Sequence, residues 1–165
     1  MSQTEADLKE AFAGESQANR TYLAFAKAAD EEGYHQVARL FRATAAAETI
    51  HAHNHLRAMK GIKSTRENLQ EAISGETYEF TSMYPGMIEA ARTEGNREAR
   101  QSFDYANKVE QVHAKLFQDA VELMDEEIQS YSYYVCPVCG FTHEVDAPSV
   151  CPICGTPGNK FIRID

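Results

Sequence analysis

Apolar side chains return at steps of three and four through most of the first 130 residues, the period of an amphipathic helix rather than of a strand. Leu8, Ala11, Phe12, Glu15, Ala18, Tyr22, Phe25 and Ala29 form one stripe, and Val37, Phe41, Thr44, Glu48, His51, His55 and Ala58 a second. A third runs through Leu69, Ala72, Ile73, Glu76, Glu79, Phe80, Met83 and Met87, and a fourth through Ala99, Phe103, Ala106, Glu110, His113, Phe117, Val121 and Met124. Gly33, Gly61 and Gly95 each follow a stripe and suit the left-handed residue just past a helix end. Ser2 with Glu5 and Ser64 with Glu67 have the spacing of capping boxes, and Asn96 can cap the helix after Gly95. Helices are therefore predicted over 4–32, 35–60, 65–94 and 97–128, each roughly 40 Å long. Short connections make neighbours antiparallel, so the fold class is an all-α four-helix bundle. Pro85-Gly86 inside the third helix predicts a kink.

The stripes contain carboxylates where a core wants apolar groups, and a repeat organises them. Gly33, Phe41, Glu48 and His51 recur 62 residues later as Gly95, Phe103, Glu110 and His113, while Gly14-Glu15 recurs as Gly75-Glu76. Two copies of one helical hairpin would bring both sets of carboxylates together near the middle of a bundle. Isolated carboxylates in low dielectric cost several kcal/mol each, and His51 and His113 alone cannot balance Glu15, Glu48, Glu76, Glu79 and Glu110. Two divalent metals would. One glutamate from each of two helices plus Glu-x-x-His from each of the other two is the ligand pattern of dinuclear carboxylate bundles. Tyr22 lies two turns after Glu15 on the same stripe and Tyr84 follows the third-helix glutamates, each placed to hydrogen-bond a ligand carboxylate or to serve as plain core. His55, one turn from His51, fits a supporting or surface place better than that of a metal ligand, and His53 is expected to face solvent.

Past Ser130 the chain changes character. Residues 1–130 hold no cysteine and one proline, whereas 131–165 hold all four cysteines and the other four prolines. A domain boundary is placed near Ser130, giving domains 1–130 and 131–165, with an aromatic linker from Ser130 to Tyr134 that packs rather than swings. Cys136-Pro-Val-Cys139-Gly and Cys151-Pro-Ile-Cys154-Gly are two metal knuckles, each pair of thiolates bracketing one side of a tetrahedral ion. Iron and zinc both accept four thiolates, and spacing does not choose between them. Beside a redox-capable dinuclear site, iron has the further use of an electron donor.

Charge narrows the partners. Sixteen basic against twenty-five acidic residues give a net charge of −9, which repels phosphate backbones and anionic lipid, so nucleic acid and membrane are not expected partners. The lack of a long apolar run argues against a membrane span or a standard export signal, and unpaired C-x-x-C motifs fit a reducing cytoplasm.

The segments AFAGESQANRTY, AETIH, AISGETYEFTSMYP and VEQVH, followed by CPVCG and CPICG, together resemble rubrerythrin along essentially the whole chain. The resemblance implies a ferritin-like bundle holding two irons, joined to a rubredoxin-like domain holding a third on Cys136, Cys139, Cys151 and Cys154. It implies that Glu48 and Glu110 bridge the two irons, that Glu15 and Glu79 are terminal ligands on one, and that Glu76 and His113 serve the other. His51 matches the histidine that exchanges with the carboxylate at the position of Glu79 when the iron changes redox state, and Tyr22 and Tyr84 match tyrosines near the site. The implied activity is reduction of hydrogen peroxide to water, with electrons from rubredoxin or a pyridine-nucleotide-dependent reductase. The implied assembly is a homodimer or homotetramer, with a head-to-tail arrangement in which one subunit's cysteine domain serves its partner's irons. Ferroxidase or iron-storage activity, a dioxygen-reducing oxidase, and a zinc-holding scaffold are the alternatives the residues leave open.

Overall fold

The computed structural model describes residues 2–126 and 130–165. Helix α1 (Gln3–Glu31) and helix α2 (His35–Ala58) form one compact unit, Met1–Lys63. The second unit, Ser64–Asp165, contains α3 (Thr65–Tyr78), a π-helical segment (Glu79–Met83), α4 (Tyr84–Thr93), α5 (Arg97–Leu123) and a small sheet of β1 (Tyr133–Val135), β2 (Thr142–Glu144) and β3 (Ile162–Ile164).

Both capping boxes form as expected: the hydroxyls of Ser2 and Ser64 accept from the N–H of Glu5 and Glu67, and those carboxylates accept from the serine N–H in return. The side chain of Asn96 accepts from the N–H of Ala99. Gly33 and Gly95 take the left-handed conformation at φ 85° and 71°. Gly61 does not. Lys60 takes the left-handed position at φ 56°, and the N–H of Gly61 reaches back to the carbonyl of Leu56 at 2.9 Å. The helix therefore ends one residue earlier than glycine placement implies, and a Cβ at Gly61 would press on the end of the Leu56 side chain, 2.5 Å from Cδ1, which a turn of that leucine relieves.

The third predicted helix contains a wide turn where a kink is expected. Tyr84 donates its N–H to the carbonyl of Glu79, five residues back, immediately before Pro85, which has no N–H to give. The π turn thus absorbs proline without ending the rod, and Glu79 opens it. The fourth helix stops at Leu123, short of the expected 128; residues 127 and 128 lie outside the described residues.

In the first unit the two helices meet along small residues. Ala38, Ala45 and Ala52, spaced by seven, are 0%, 1% and 6% exposed, and Ala26 and Ala29 bury opposite them. Asn19 fastens this seam, donating to the carbonyl of Ala45 at 2.7 Å and to Thr49 Oγ1 at 2.8 Å. Phe25 and Val37, read from periodicity as inward, remain largely exposed. Alanine wins the seam because it lets two backbones approach closely, and the larger residues of the stripe lie beside it.

In the second unit β1 is central in the order β2-β1-β3, antiparallel to both neighbours, with Val135 opposite Thr142 and Ile162. The expected aromatic linker thus runs into a strand, Tyr133 and Tyr134 being its first residues. The module rests on α5 of its own chain: Val109 is buried in one cluster with Cys136, Phe141 and Cys151, flanked by Val112, Ile153 and Phe161. Among the described residues no helix is long and apolar enough to cross a membrane.

Candidate metal centres

The four cysteines are free thiols held by two superimposable turns. In each, the N–H of the glycine bonds to the carbonyl of the first cysteine at 3.0 Å, and Gly140 and Gly155 take φ of 84° and 79°. The N–H of Cys136 bonds to the carbonyl of Phe141 and that of Cys151 to the carbonyl of Thr156, closing each loop. Cys136 and Cys154 stand 3.5 Å apart at sulfur, as do Cys139 and Cys151, and all four sulfurs lie within 4.8 Å of one another. A tetrahedron with metal–sulfur bonds of ~2.3 Å has edges of about 3.8 Å, so the donor set fits a single iron or zinc ion. Electrostatics prepare one thiolate. Burial opposes ionisation of Cys136, but the N–H groups of Cys139 and Val138, with Thr156 and Cys154, bring its thiol down to about 6. Burial pushes Cys139 and Cys151 the other way, so those protons leave when a cation arrives.

The carboxylate–histidine residues form two triads, one in each unit. In the first, His51 Nδ1 lies 2.9 Å from Glu48 and 3.6 Å from Glu15. In the second, His113 Nδ1 lies 2.7 Å from Glu110 and 4.0 Å from Glu76. The 62-residue repeat is therefore a repeat of geometry, with the i, i+3 spacing setting Glu-x-x-His side by side on one helical face. Donor atoms within each triad all lie within 4.8 Å. None of these side chains is sealed from solvent, contrary to the reading of the stripes as core. Glu48 and Glu110 are the most covered, at 15% exposure, and His51 is 52% exposed against 27% for His113.

The carboxyls themselves ask for cations. A hydrogen bond shared with Glu15, then one with His51, holds Glu48 below the usual carboxylate range. Burial raises Glu76, and the charge of Glu110 and a shared hydrogen bond with it raise it further. A proton between paired carboxyls occupies the place a divalent ion would take. Glu79 stands outside the second triad, yet it is raised by burial and by the charge of Glu76. It is thus a neighbouring carboxyl free to be recruited. Because a ligand carboxylate must lose its proton, divalent-ion affinity of the second triad is expected to rise with pH through a window above the ordinary glutamate value of about 4.3. Titration of the metal-free protein with zinc at several pH values, read by calorimetry with proton release, checks this; a flat profile would contradict it.

Tyr22 and Tyr84 repeat each other's packing rather than bonding a carboxylate. Their rings lie 6.1 Å from Phe41 and 6.3 Å from Phe103, a second pair of matches at the 62-residue interval. Tyr84 is nonetheless close enough to feel the site: burial raises it first, then the charges of Glu79, Glu110 and Glu76. His53 is exposed and His55 half-buried, and neither joins a triad.

Sequence reasoning passed over Thr142. Its hydroxyl lies 3.0 Å from Nε2 of His113, joining the cysteine module to the second triad within one unit. Its only signal is its position, three residues after Cys139. A cavity of about 510 Å³ opens beside this joint, with Glu76, His113 and Thr142 at one end and Leu69, Leu116, Phe117 and Ala120 along its wall.

Comparison with known proteins agrees along the chain. Residues 7–121 match the rubrerythrin family model, and residues 134–162 match that of the rubrerythrin rubredoxin-like domain. Rubrerythrin-2 of Clostridium acetobutylicum is 40% identical over 170 residues, covering 93% of this chain and 92% of that protein. Nigerythrin of Nitratidesulfovibrio vulgaris is 38% identical over 169 residues, covering 94% of this chain and 83% of that one. Solved structures of nigerythrin in a mixed-valent state and in a fully reduced, all-ferrous state each cover 99% of this chain and 87% of their own, at 38% identity and a TM-score of 0.59.

Proposed function

The chain belongs to the rubrerythrin family, and from that premise we propose that it is a peroxidase that reduces hydrogen peroxide to water with electrons passed through its own cysteine module. The observation that supports this most directly is the joint between His113 and Thr142, because it ties a four-thiolate site to a carboxylate–histidine triad. A storage protein has no need of such a connection. Conversion of one peroxide to two waters consumes two electrons and two protons, and iron held by the triads would supply the electrons and the Lewis acidity.

In this reading Glu48 and Glu110, the most covered carboxylates, would be the ligands shared between two metal ions, and Glu15, Glu76 and His113 would each hold one. Glu79 and His51 are the exchangeable pair. One opens the π turn beside its triad and the other is the more exposed histidine, so each side chain has room to enter and leave. Tyr84 retains its proton, since burial and three carboxylates disfavour the phenolate, and it offers a hydrogen bond to a ligand carboxylate. The cavity beside Glu76 and His113, about 510 Å³ and open to solvent, has room for a small neutral oxidant. Cys136, Cys139, Cys151 and Cys154 would hold an iron that supplies electrons to the triads, with rubredoxin or a pyridine-nucleotide-dependent reductase as their source in a reducing cytoplasm. Leu23, Phe25, Leu40 and Ile50, large apolar groups left exposed on the first unit, favour assembly of copies as a homodimer or homotetramer. The cysteine module lies against the α5 triad of its own chain, a contact that would let it pass electrons there, and a head-to-tail pair of copies remains the assembly the family resemblance implies.

Anaerobic stopped-flow tests the reading. Fully reduced, iron-loaded protein is mixed with hydrogen peroxide or, separately, dioxygen, and the return of iron–thiolate absorbance is followed. Much faster reoxidation by peroxide is expected. Faster reoxidation by dioxygen would move the assignment to an oxidase or ferroxidase.

A further inference from the structure

Thr142 offers His113 one hydroxyl, and the proton of that hydroxyl is already placed. It is donated to the carbonyl of Gly140 at 3.1 Å, so toward the 3.0 Å contact with His113 Nε2 the oxygen has only a lone pair to give. Nε2 must then carry a ring proton, which leaves Nδ1, facing Glu110 and Glu76, as the nitrogen a metal can take; without metal, a proton shared with Glu110 fills the 2.7 Å contact there. Gly140 in turn is held by the first knuckle, its N–H bonded to the carbonyl of Cys136. A continuous chain of hydrogen bonds runs from the cysteine turn through Gly140 and Thr142 to the ring of His113. The repeat-related His51 has Glu48 and Glu15 on Nδ1 as well, but among the described residues nothing meets its Nε2. The tether is thus an addition made by the module and is not inherited from the repeat.

We propose that Thr142 is a positioning residue that selects Nδ1 of His113 as a metal ligand, so that the cysteine module sets the tautomer and orientation of a ligand in the bundle. Metal-bound histidines generally donate their second N–H to a fixed acceptor, and loss of that acceptor costs about 10–100-fold in metal affinity. Here the acceptor comes from the other metal domain, so the two sites are linked: what orders the knuckle also orders the triad, and by reciprocity the triad's metal steadies the knuckle. The inference rests on reading Glu76, Glu110 and His113 as metal ligands.

The test uses the full chain loaded with zinc, compared as wild type, Thr142→Val and Thr142→Ser, with long-range proton–nitrogen correlation of the histidine rings. Wild type is expected to show His113 bound through Nδ1, with a slowly exchanging Nε2 proton. In Thr142→Val that proton should exchange at least about 10-fold faster and the bundle should hold zinc about 10–100-fold more weakly, while the serine variant restores both. Retained zinc in the four cysteines confirms that the valine variant is folded. Unchanged exchange and affinity in Thr142→Val, or binding through Nε2 in wild type, overturns the inference while leaving the metal reading intact. Zinc absent from His113 in wild type overturns both.

Discussion

Replacing Glu110 with glutamine is expected to move stability and metal binding in opposite directions. In the metal-free protein Glu110 and Glu76 are like-charged neighbours, and the charge of Glu110 is one of the forces that raise Glu76. Removing that charge while keeping the shape relieves the repulsion, and a rise in Tm of about 2–4 °C, the shift that about 1 kcal/mol produces in a chain of this size, is expected. The same substitution deprives His113 Nδ1 of a carboxylate 2.7 Å away and takes a bridging oxygen from the proposed dinuclear site. Iron occupancy of the bundle and peroxide turnover should fall by more than about 100-fold, beyond the loss typical of a supporting group. Melting of the chelator-treated protein, with iron analysis and turnover on the same samples, separates the two effects. A lowered apo Tm with retained iron would contradict the account. The trade is characteristic of a functional site, where mutually repelling groups persist because something else binds between them.

That conflict is also why the site was legible in the sequence. A carboxylate at an apolar phase is a local inconsistency, and two inconsistencies at a 62-residue interval are a pattern. Caps were legible for the same reason: Ser64 and Glu67 interact over one turn and need no tertiary information. The α1–α2 seam was not, because Ala38, Ala45 and Ala52 are weak in any hydrophobicity reading and become important only when two backbones come close. Nor was the π turn, since Pro85 predicts disruption but not whether the helix breaks or widens. Thr142 lay beyond reach because its meaning comes from a ring 29 residues away, on a helix that sequence spacing alone does not bring to the cysteine module.

Exchange of Cys151 for serine is expected to cost the module its fold while sparing the helices. The cluster around Val109 is small, and two of its buried members, Cys136 and Cys151, are themselves ligands. Three short strands of three residues each supply little else. A metal on four thiolates contributes on the order of 10–16 kcal/mol of apparent folding free energy in domains of this kind, which makes it the principal stabiliser here. The variant should lose the iron–thiolate absorbance and the slow amide exchange of Cys136, Gly140 and Thr142, with helical circular dichroism nearly unchanged. Peroxide turnover driven by an external reductant should drop by at least about 100-fold, because the route into the bundle is gone, yet a single oxidation of pre-reduced bundle iron should survive. Its rate is the discriminating quantity. If the module only delivers electrons, that single event proceeds as in wild type. Since its Thr142 hydroxyl also holds His113, the bundle should bind its metal about 10–100-fold more weakly as well, and hydrogen exchange, metal analysis and single-turnover absorbance on one preparation would show all three consequences together.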